Sequence, residues 1–270
     1  MEKGSSDHEK HKYGMIIDLD KCTGCGTCAA ACAAENNVAV RPDETDKERS
    51  ITWMQIYRIS NGKEFPSTET SYFPRPCMHC SEDGHGHHTS PCVSVCPPTA
   101  TKLDLNTGIV SQIYTRCIGC RYCQAACPYG ARYFNWWDGY WPKEKGLERY
   151  LSPEVSPRMR GVVEKCTFCH HRLMRAKNIA YTEGRRDIKQ DEYITACTEA
   201  CPAQAITFGD LANPDHNVSK IIKNEKKRAF RLLERLNTKP KVYYLSSKDW
   251  VRELADNYRP GEFKPLFKSS

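Results

Sequence analysis

The cysteines carry the clearest chemical signal in this sequence. Sixteen of them in 270 residues fall into four quartets, and each quartet opens with C-x2-C and closes with C-x3-C. The quartets are Cys22, Cys25, Cys28 and Cys32; Cys77, Cys80, Cys92 and Cys96; Cys117, Cys120, Cys123 and Cys127; and Cys166, Cys169, Cys197 and Cys201. The first and third have the C-x2-C-x2-C-x3-C spacing with which bacterial ferredoxins hold iron–sulfur clusters. This pattern predicts that all sixteen cysteines bind iron.

Three other uses of cysteine fit the pattern less well. Disulfides are typical of short secreted scaffolds rather than of a chain of this length with regular C-x2-C pairs. Structural zinc takes two thiolates from each of two separated loops, whereas the tight quartets put three thiolates in one loop. A C-x-x-C redox dithiol would need one pair beside a βαβ pattern. Iron–sulfur binding is the interpretation that accounts for the whole set.

The composition fits a protein whose interior is partly built from cofactors. Hydrophobic residues make up 39% of the chain and charged residues 27%. No apolar run approaches the roughly 20 residues that a membrane helix needs. The N-terminal stretch is polar and has neither an apolar signal-peptide core nor twin arginines. Export would therefore depend on a partner's signal or on a segment outside this sequence.

The formal charge of +7 does not predict nucleic-acid binding. Four thiolates around an oxidised cluster of charge +2 leave about −2 at each site, so loaded clusters would cancel the excess. Lys21, Arg116 and Lys165 each stand directly before the first cysteine of a quartet. They belong either to this charge compensation or to solvated loop entrances.

The segments between the quartets predict how the quartets pair. Residues 101–114 are predicted to form two strands joined by a turn at Asn106, Thr107 and Gly108, as in a two-cluster ferredoxin. Residues 13–20 and 205–211 are predicted to be short strands that meet as the equivalent of a second hairpin. The predicted fold class is therefore α+β, with two nested units that resemble 2[4Fe–4S] ferredoxins.

The nested arrangement predicts a set of domains. The outer unit comprises residues 13–32 and 166–209, and the inner unit comprises residues 77–127. Residues 33–76 and 128–165 are insertions, and residues 210–270 are a C-terminal extension that contains a helix. From Asn217 to Leu236 the pattern predicts one amphipathic helix that packs on the subunit or a partner, with a membrane surface as the less favoured alternative.

Nesting also predicts the ligands, because the fourth cysteine of a ferredoxin quartet serves the other cluster. Site 1 is Cys22, Cys25, Cys28 and Cys201. Site 2 is Cys32, Cys166, Cys169 and Cys197. Site 3 is Cys77, Cys80, Cys92 and Cys127. Site 4 is Cys96, Cys117, Cys120 and Cys123.

Several longer motifs resemble a known family. RPCMHC, CIGCRYCQAACPYGARYFNWW and SPRMRGVVEKCTFCHHRL are similar to motifs of the iron–sulfur subunits of complex iron–sulfur molybdoenzymes. FGDLANPDHNVSKI and RLLERLNTKPKVYYL resemble the iron–sulfur modules of alternative complex III and of the menaquinone reductase (quinone reductase complex) of sulfate reducers. The resemblance implies the same nested ligation. It also implies four [4Fe–4S] clusters, because Cys120 occupies the position that some relatives of this family replace.

The resemblance implies partners and a location as well. We expect electron transfer, one electron at a time, between a large molybdopterin-type or related subunit next to site 1 and a quinone-binding integral membrane subunit next to site 4. A multihaem cytochrome is a further candidate partner. The expected location is peripheral on the membrane, on the periplasmic face of the inner membrane, with the cytoplasmic face as the alternative.

Two groups outside the quartets have more than one interpretation. The aromatic residues Trp136, Trp137, Tyr140 and Trp141 form either a partner contact or a cover over the clusters. His79, His85, His87 and His88 predict either a flexible exposed insert, which the neighbouring glycines favour, or a metal or haem-partner contact. His170 and His171 follow Cys169 and are candidates to border a cluster.

The sequence contains no motif for catalysis by this chain alone. It lacks a Ser/His/Asp set, a Walker loop and a G-x-G-x-x-G turn between strand and helix. The predicted function is therefore electron transfer within an oxidoreductase complex. A free-standing polyferredoxin is the alternative.

Overall fold

The computed structural model describes residues 10–39, 51–139, 141, 146–260 and 263. Within these residues the chain forms ten strands and seven α-helices. The strands are β1 (Tyr13–Asp18), β2 (Gln55–Ser60), β3 (Thr70–Arg75), β4 (Thr101–Leu103), β5 (Val110–Gln112), β6 (Tyr133–Phe134), β7 (Val163–Glu164), β8 (Ile206–Asp210), β9 (Ala229–Phe230) and β10 (Val242–Leu245). The helices are α1 (Thr27–Glu35), α2 (Pro91–Ser94), α3 (Tyr122–Ala125), α4 (His170–Thr182), α5 (Ala196–Glu199), α6 (Asn217–Asn224) and α7 (Asp249–Asp256).

A four-stranded sheet in the order β8, β1, β10, β9 holds the two chain ends together. All six residues of β1 are buried, because both faces of this strand are covered. β8 runs antiparallel to β1, with Ile206 opposite Ile17 and Asp210 opposite Tyr13. The predicted strands on either side of the outer quartets, and their pairing, are confirmed. β10 lies parallel to β1 on the other edge, a position that the sequence did not predict.

The hairpin predicted between the second and third quartets is also confirmed. β4 and β5 are antiparallel, with Thr101 opposite Gln112. Asp104 holds the turn, since its backbone carbonyl accepts the N–H of Gly108 at 2.7 Å and its carboxylate accepts the Thr107 hydroxyl at 2.6 Å. Gly108 has a φ of 67°, which glycine adopts without strain.

The two predicted insertions contain strands of their own. In the first, β2 and β3 form an antiparallel hairpin whose Phe73 stacks on Tyr244 of the central sheet, with ring centroids 4.2 Å apart. In the second, β6 and β7 pair and join the beginning of the insertion to its end. The first insertion therefore covers one face of the central sheet and contributes to its core.

The prediction of one amphipathic helix from Asn217 to Leu236 is wrong. Helix α6 ends at Asn224, and the chain then enters β9, which pairs with β10. Phe230 and Leu233 are buried in the main core, so they pack inside the protein rather than along one face of a helix. In the described part of the chain, no helix combines the length and the apolar character needed to cross a bilayer.

Candidate cluster-binding sites

The first quartet shares a cavity with the last cysteine of the chain. The cavity is lined by Cys22, Cys25, Cys28 and Cys201. Helix α1 positions Cys28 and Cys32 one turn apart, and both are buried. Gly24 has a φ of 70°, and a Cβ there would lie 2.5 Å from the ring of Tyr72, so this cysteine loop requires glycine.

The second quartet shares a cavity with a cysteine of the third in the same way. This cavity is lined by Cys77, Cys80, Cys92 and Cys127. Ser90 precedes α2, and its hydroxyl donates to the backbone carbonyl of Cys80 at 2.7 Å, which ties the two halves of the quartet together. In both cavities three cysteines come from one quartet and the fourth comes from another.

Cys32 lies among the cysteines of the fourth quartet. Burial raises its pKa far above the usual value, and the charges of Cys166, Cys197 and Cys169 raise it further. Asn36 bridges the group, because its side-chain N–H lies 3.8 Å from the Sγ of Cys32 and 3.8 Å from that of Cys169. The structure thus brings together the cysteines predicted for site 2.

The cysteines predicted for site 4 include Cys96, which lies at the base of the inner hairpin and accepts the backbone N–H of Thr101 at 3.4 Å. Burial raises the pKa of Cys123, and nearby charges on Cys92 and Cys96 add to this effect. Cys117 packs against the small apolar cluster that contains Cys92 and Cys123. Cys120 is exposed. Site 4 is therefore the more open counterpart of site 3.

Many cysteine sulfurs receive a hydrogen bond from nearby backbone or hydroxyl groups. Backbone N–H groups donate to the sulfurs at 3.3–3.5 Å in four cases: Thr101 to Cys96, Phe168 to Cys166, Ala196 to Cys169 and Ala205 to Cys201. The hydroxyl of Thr195 lies 3.2 Å from the sulfur of Cys197. Such donors stabilise sulfur that carries negative charge, as it does when bound to iron.

The donor set fits four-iron clusters. None of the sixteen cysteines forms a disulfide. Burial raises the pKa of Cys28 and that of Cys197 to about 12, so these thiols release their protons to solvent readily only when a strong positive centre such as iron binds the sulfur. The ligands of a four-iron cluster bind different iron atoms and need not meet at one point. Among the described residues, no three His, Cys, Asp or Glu side chains are gathered to hold a single ion.

Electrostatic contacts between quartets indicate the order of the sites. The charge of Cys28 adds to the effect of burial in raising the pKa of Cys32 and that of Cys197, which places site 1 next to site 2. Cys77 acts on Cys166, which places site 2 next to site 3. Cys92 acts on Cys123, which places site 3 next to site 4. The exposed cysteines are Cys25, in site 1, and Cys120, in site 4.

The three basic residues that precede quartets differ in their surroundings. Lys21 and Arg116 are exposed, as the solvated interpretation expects. Lys165 is fully buried, and its Nζ donates to the backbone carbonyls of Val110 and of Cys166, the latter at 2.7 Å. Of these three residues, Lys165 alone therefore fits the interpretation of an internal charge that compensates the clusters.

The histidines do not behave as one group. His85, His87 and His88 are exposed, and His87 lies 2.7 Å from Asp83. The prediction that His79 belongs to an exposed insert is wrong. Its ring is fully buried, stacks on Phe168 at 3.7 Å and accepts the N–H of Val110 at 3.1 Å. A position directly between Cys77 and Cys80 was the available signal that His79 lies inside.

His171 and the tryptophans of the second insertion have local partners. His171 lies 2.7 Å from Glu35, near the end of α1. Trp136 packs edge-on against Phe134 at 4.6 Å, and the guanidinium of Arg121 lies 4.8 Å from its ring centroid. Trp137 is 47% exposed, while Tyr140 lies outside the described residues. Trp136 therefore covers the loop of the third quartet.

Comparison with known proteins bears on these sites. The family described as "4Fe-4S dicluster domain" matches residues 68–147, and that described as "4Fe-4S binding domain" matches residues 13–34. The chain is 57% identical to the menaquinone reductase iron–sulfur cluster-binding subunit of Nitratidesulfovibrio vulgaris, over 92% of this chain and 94% of that protein. This chain belongs to the family of iron–sulfur cluster-binding subunits of oxidoreductase complexes.

Two more distant relatives in this family match over most of their own length. The chain is 35% identical to iron–sulfur subunit 1 of the Hdr-like menaquinol oxidoreductase of Archaeoglobus fulgidus, over 90% of this chain and 87% of that protein. It is 33% identical to the arsenate respiratory reductase iron–sulfur subunit of a Shewanella species, over 87% of this chain and 97% of that protein. The family resemblance predicted from the cysteine motifs is confirmed, and the protein is an electron-transfer subunit with [4Fe–4S] clusters.

Proposed function

We propose that this subunit holds four [4Fe–4S] clusters and conducts electrons along them from site 1 to site 4 or in reverse. The observation that carries this proposal is the sharing of cysteines, since each of two cavities takes three from one quartet and one from another. Extended to all sixteen cysteines, this sharing gives sites 1 to 4 with the ligands predicted above. When bound, each cluster accepts and releases one electron at a time.

The nested units follow from the same sharing. We assign residues 13–32 and 166–209 to the outer ferredoxin-like unit and residues 77–127 to the inner one. The pairing of β1 with β8 and that of β4 with β5 support this assignment, because each unit then has its own antiparallel strand pair. The C-terminal extension adds β10 to the outer pair and so helps to fix Cys22 near Cys201.

The exposed cysteines suggest where partners bind. Cys25 marks the end of the path at site 1, where we place a large molybdopterin-type or related subunit. Cys120 marks the other end, where we place a quinone-reactive membrane subunit. Ile118 and Tyr122 beside Cys120 are 68% and 64% exposed, so this end offers apolar surface to a partner. A multihaem cytochrome remains a further candidate partner.

The quinone and the location are proposed from the relatives. Two of them bear names that include menaquinone or menaquinol, and we propose menaquinone as the quinone of this complex. We place the subunit at the membrane surface, on the periplasmic face, held by its partners.

Purification of the native complex tests the proposal. We expect the subunit to copurify with a large subunit and a membrane subunit, and to contain about sixteen iron atoms per chain. Electron paramagnetic resonance (EPR) of the reduced complex should show signals from four interacting clusters. A chain that purifies alone with its full iron content would instead indicate a free polyferredoxin. An iron content near eight would contradict the four-site assignment.

A further inference from the structure

Arg132 is a buried arginine whose hydrogen-bond partners are both neutral. Its side chain is 2% exposed and lies just before β6. One nitrogen, Nη1, donates to Gln112 Oε1 at 3.1 Å and to Thr101 Oγ1 at 3.3 Å. Thr101 and Gln112 face each other across the inner hairpin, and their side chains are joined by a hydrogen bond of 2.8 Å. The base of the hairpin therefore fixes one edge of the guanidinium.

The rest of the guanidinium is directed at cysteines. Its Nε and Nη2 are buried and have no hydrogen-bond partner. Arg132 lines the cavity of site 3 together with Cys77, Cys92 and Cys127. Arg132 also lies near Cys123 of site 4. Burial raises the pKa of the Cys123 thiol, and the positive charge of Arg132 lowers it. Arg132 is thus placed between the two inner sites.

In the described part of the chain, no carboxylate balances this charge. Within the described residues Arg132 forms no ion pair. Burial disfavours its charge, and the charges of Cys92, Cys123, Cys77 and Cys127 raise its pKa. Burying a cation without a countercharge is strongly unfavourable. Thiolates around a loaded cluster carry net negative charge and would supply that countercharge. Arg132 is therefore matched to clusters at sites 3 and 4 rather than to another side chain.

We propose that Arg132 is a potential-setting residue, which holds a fixed positive charge between sites 3 and 4 and raises their reduction potentials above the values they would have without it. A reduced cluster carries one more negative charge than an oxidised one, so a nearby cation stabilises the reduced form more. The two unbonded N–H groups add to this effect if they donate to cluster sulfur. The proposal rests on the proposed function, because it requires clusters at sites 3 and 4.

The sharpest test is Gln112→Glu in the purified complex, followed by an EPR redox titration. Glutamate keeps an acceptor oxygen for Arg132 and Thr101 but gives Arg132 a countercharge. We expect the equilibrium constant for reduction of sites 3 and 4 to fall about tenfold, which lowers the reduction potential of a one-electron couple by 59 mV. The equilibrium constants for reduction of sites 1 and 2 should change less than twofold. Cys80→Ser and Cys120→Ser identify the signals of sites 3 and 4.

The controls separate charge from structure. Gln190→Glu makes the same change at the surface, where Gln190 accepts the N–H of Asn217 at 3.0 Å. It should leave the equilibrium constants for reduction of all four clusters within twofold of wild type. Arg132→Lys keeps the charge and should retain potentials close to wild type, whereas Arg132→Met should lower those of sites 3 and 4. If Arg132→Met loses its clusters, Gln112→Glu and Arg132→Lys decide the question.

Two results would overturn the proposal while leaving the proposed function intact. The first is a Gln112→Glu complex with four clusters and unchanged potentials, since a purely structural tie would be preserved or strengthened. The second is an Arg132→Lys complex in which the equilibrium constants for reduction of sites 3 and 4 fall about tenfold. A wild-type complex with fewer than four clusters would instead refute the proposed sites themselves.

Discussion

Arg132 and Arg172 both lie beside cysteine loops, but their charges are balanced differently. Arg172, on α4, donates to Glu35 at 2.6 and 2.7 Å and to Glu199 at 2.6 Å. Near Cys169 the charges of Arg172 and Glu35 act in opposite directions on the thiol. Among the residues that the structure describes, Arg132 has neutral hydrogen-bond partners and neighbouring cysteines but no carboxylate partner. An arginine paired with carboxylates ties elements together, whereas one facing thiolates alone leaves its field acting on the sites.

The carboxylate-paired class has a second, fully buried member. Arg158 donates to Glu164 at 2.9 Å, with side chains only 1% and 2% exposed, and also donates to the backbone carbonyls of Asn36 and Asn37 after α1. The Arg158–Glu164 pair therefore links the second insertion to α1, the helix that carries Cys28 and Cys32. We therefore predict that carboxylate-paired arginines contribute to stability. Removing both residues of such a pair should leave the reduction potentials of the clusters unchanged.

Arg158→Met should have the largest effect on stability. It removes the cation that pairs with a buried carboxylate, which costs about 3 to 5 kcal/mol. The measurement is the temperature at which half of the visible cluster absorbance is lost at a fixed heating rate.

The matched control is Arg158→Met combined with Glu164→Met, which removes both charges. This double variant should be more stable than the single one, because no buried charge loses its partner. Its four cluster potentials should match those of wild type. A double variant with shifted potentials would break the distinction between paired and unpaired arginines.

Lys165→Met should have the next largest effect. It withdraws a donor from the buried carbonyls of Val110 and Cys166, at about 1 to 3 kcal/mol. Lys21→Met is the control, since Lys21 has the same position before its quartet but is exposed. The same thermal measurement should show no change for Lys21→Met, and equal effects of the two variants would contradict the assignment of Lys165 as an internal charge.

Glu35→Gln should have the smallest effect and should depend on pH. Hydrogen bonds from Arg172 lower the pKa of Glu35 from 4.5 to about 2, although burial opposes this. Its contribution to stability is therefore complete above pH about 4.5 and is lost as the pH falls toward 2. Solvent screening at this half-exposed edge limits the contribution to about 1 kcal/mol.

The difference between wild type and Glu35→Gln is measured from rates of cluster loss at several pH values. It should be constant from pH 7 to 5 and narrow below pH 4.5. A difference that widens on acidification would show that Glu35 is not held as a carboxylate by Arg172.

The sequence predicted the strands next to the cysteine quartets because local residue patterns determine them. Residues 101–114 formed the expected hairpin, and residues 13–20 paired with residues 205–211. Long-range packing accounts for what was missed. The helix predicted to Leu236 stops at Asn224 because Phe230 joins the sheet edge and Leu233 enters the core.

Single side chains were hardest to predict for the same reason. His79 resembles the exposed histidines that follow it in the sequence, but stacking on Phe168 buries it. Arg132 gave no signal, since its role depends on cysteines of the second and third quartets and on a hairpin twenty residues earlier.

The most direct test of the account is whether Cys201 serves the first quartet. We would record EPR spectra of Cys201→Ser beside Cys25→Ser, a reference for site 1, and Cys169→Ser, a reference for site 2. The shared cavity predicts that Cys201→Ser perturbs the signal that Cys25→Ser removes and retains the signal that Cys169→Ser removes. Damage confined to the Cys169 signal would contradict the nested assignment of all four sites.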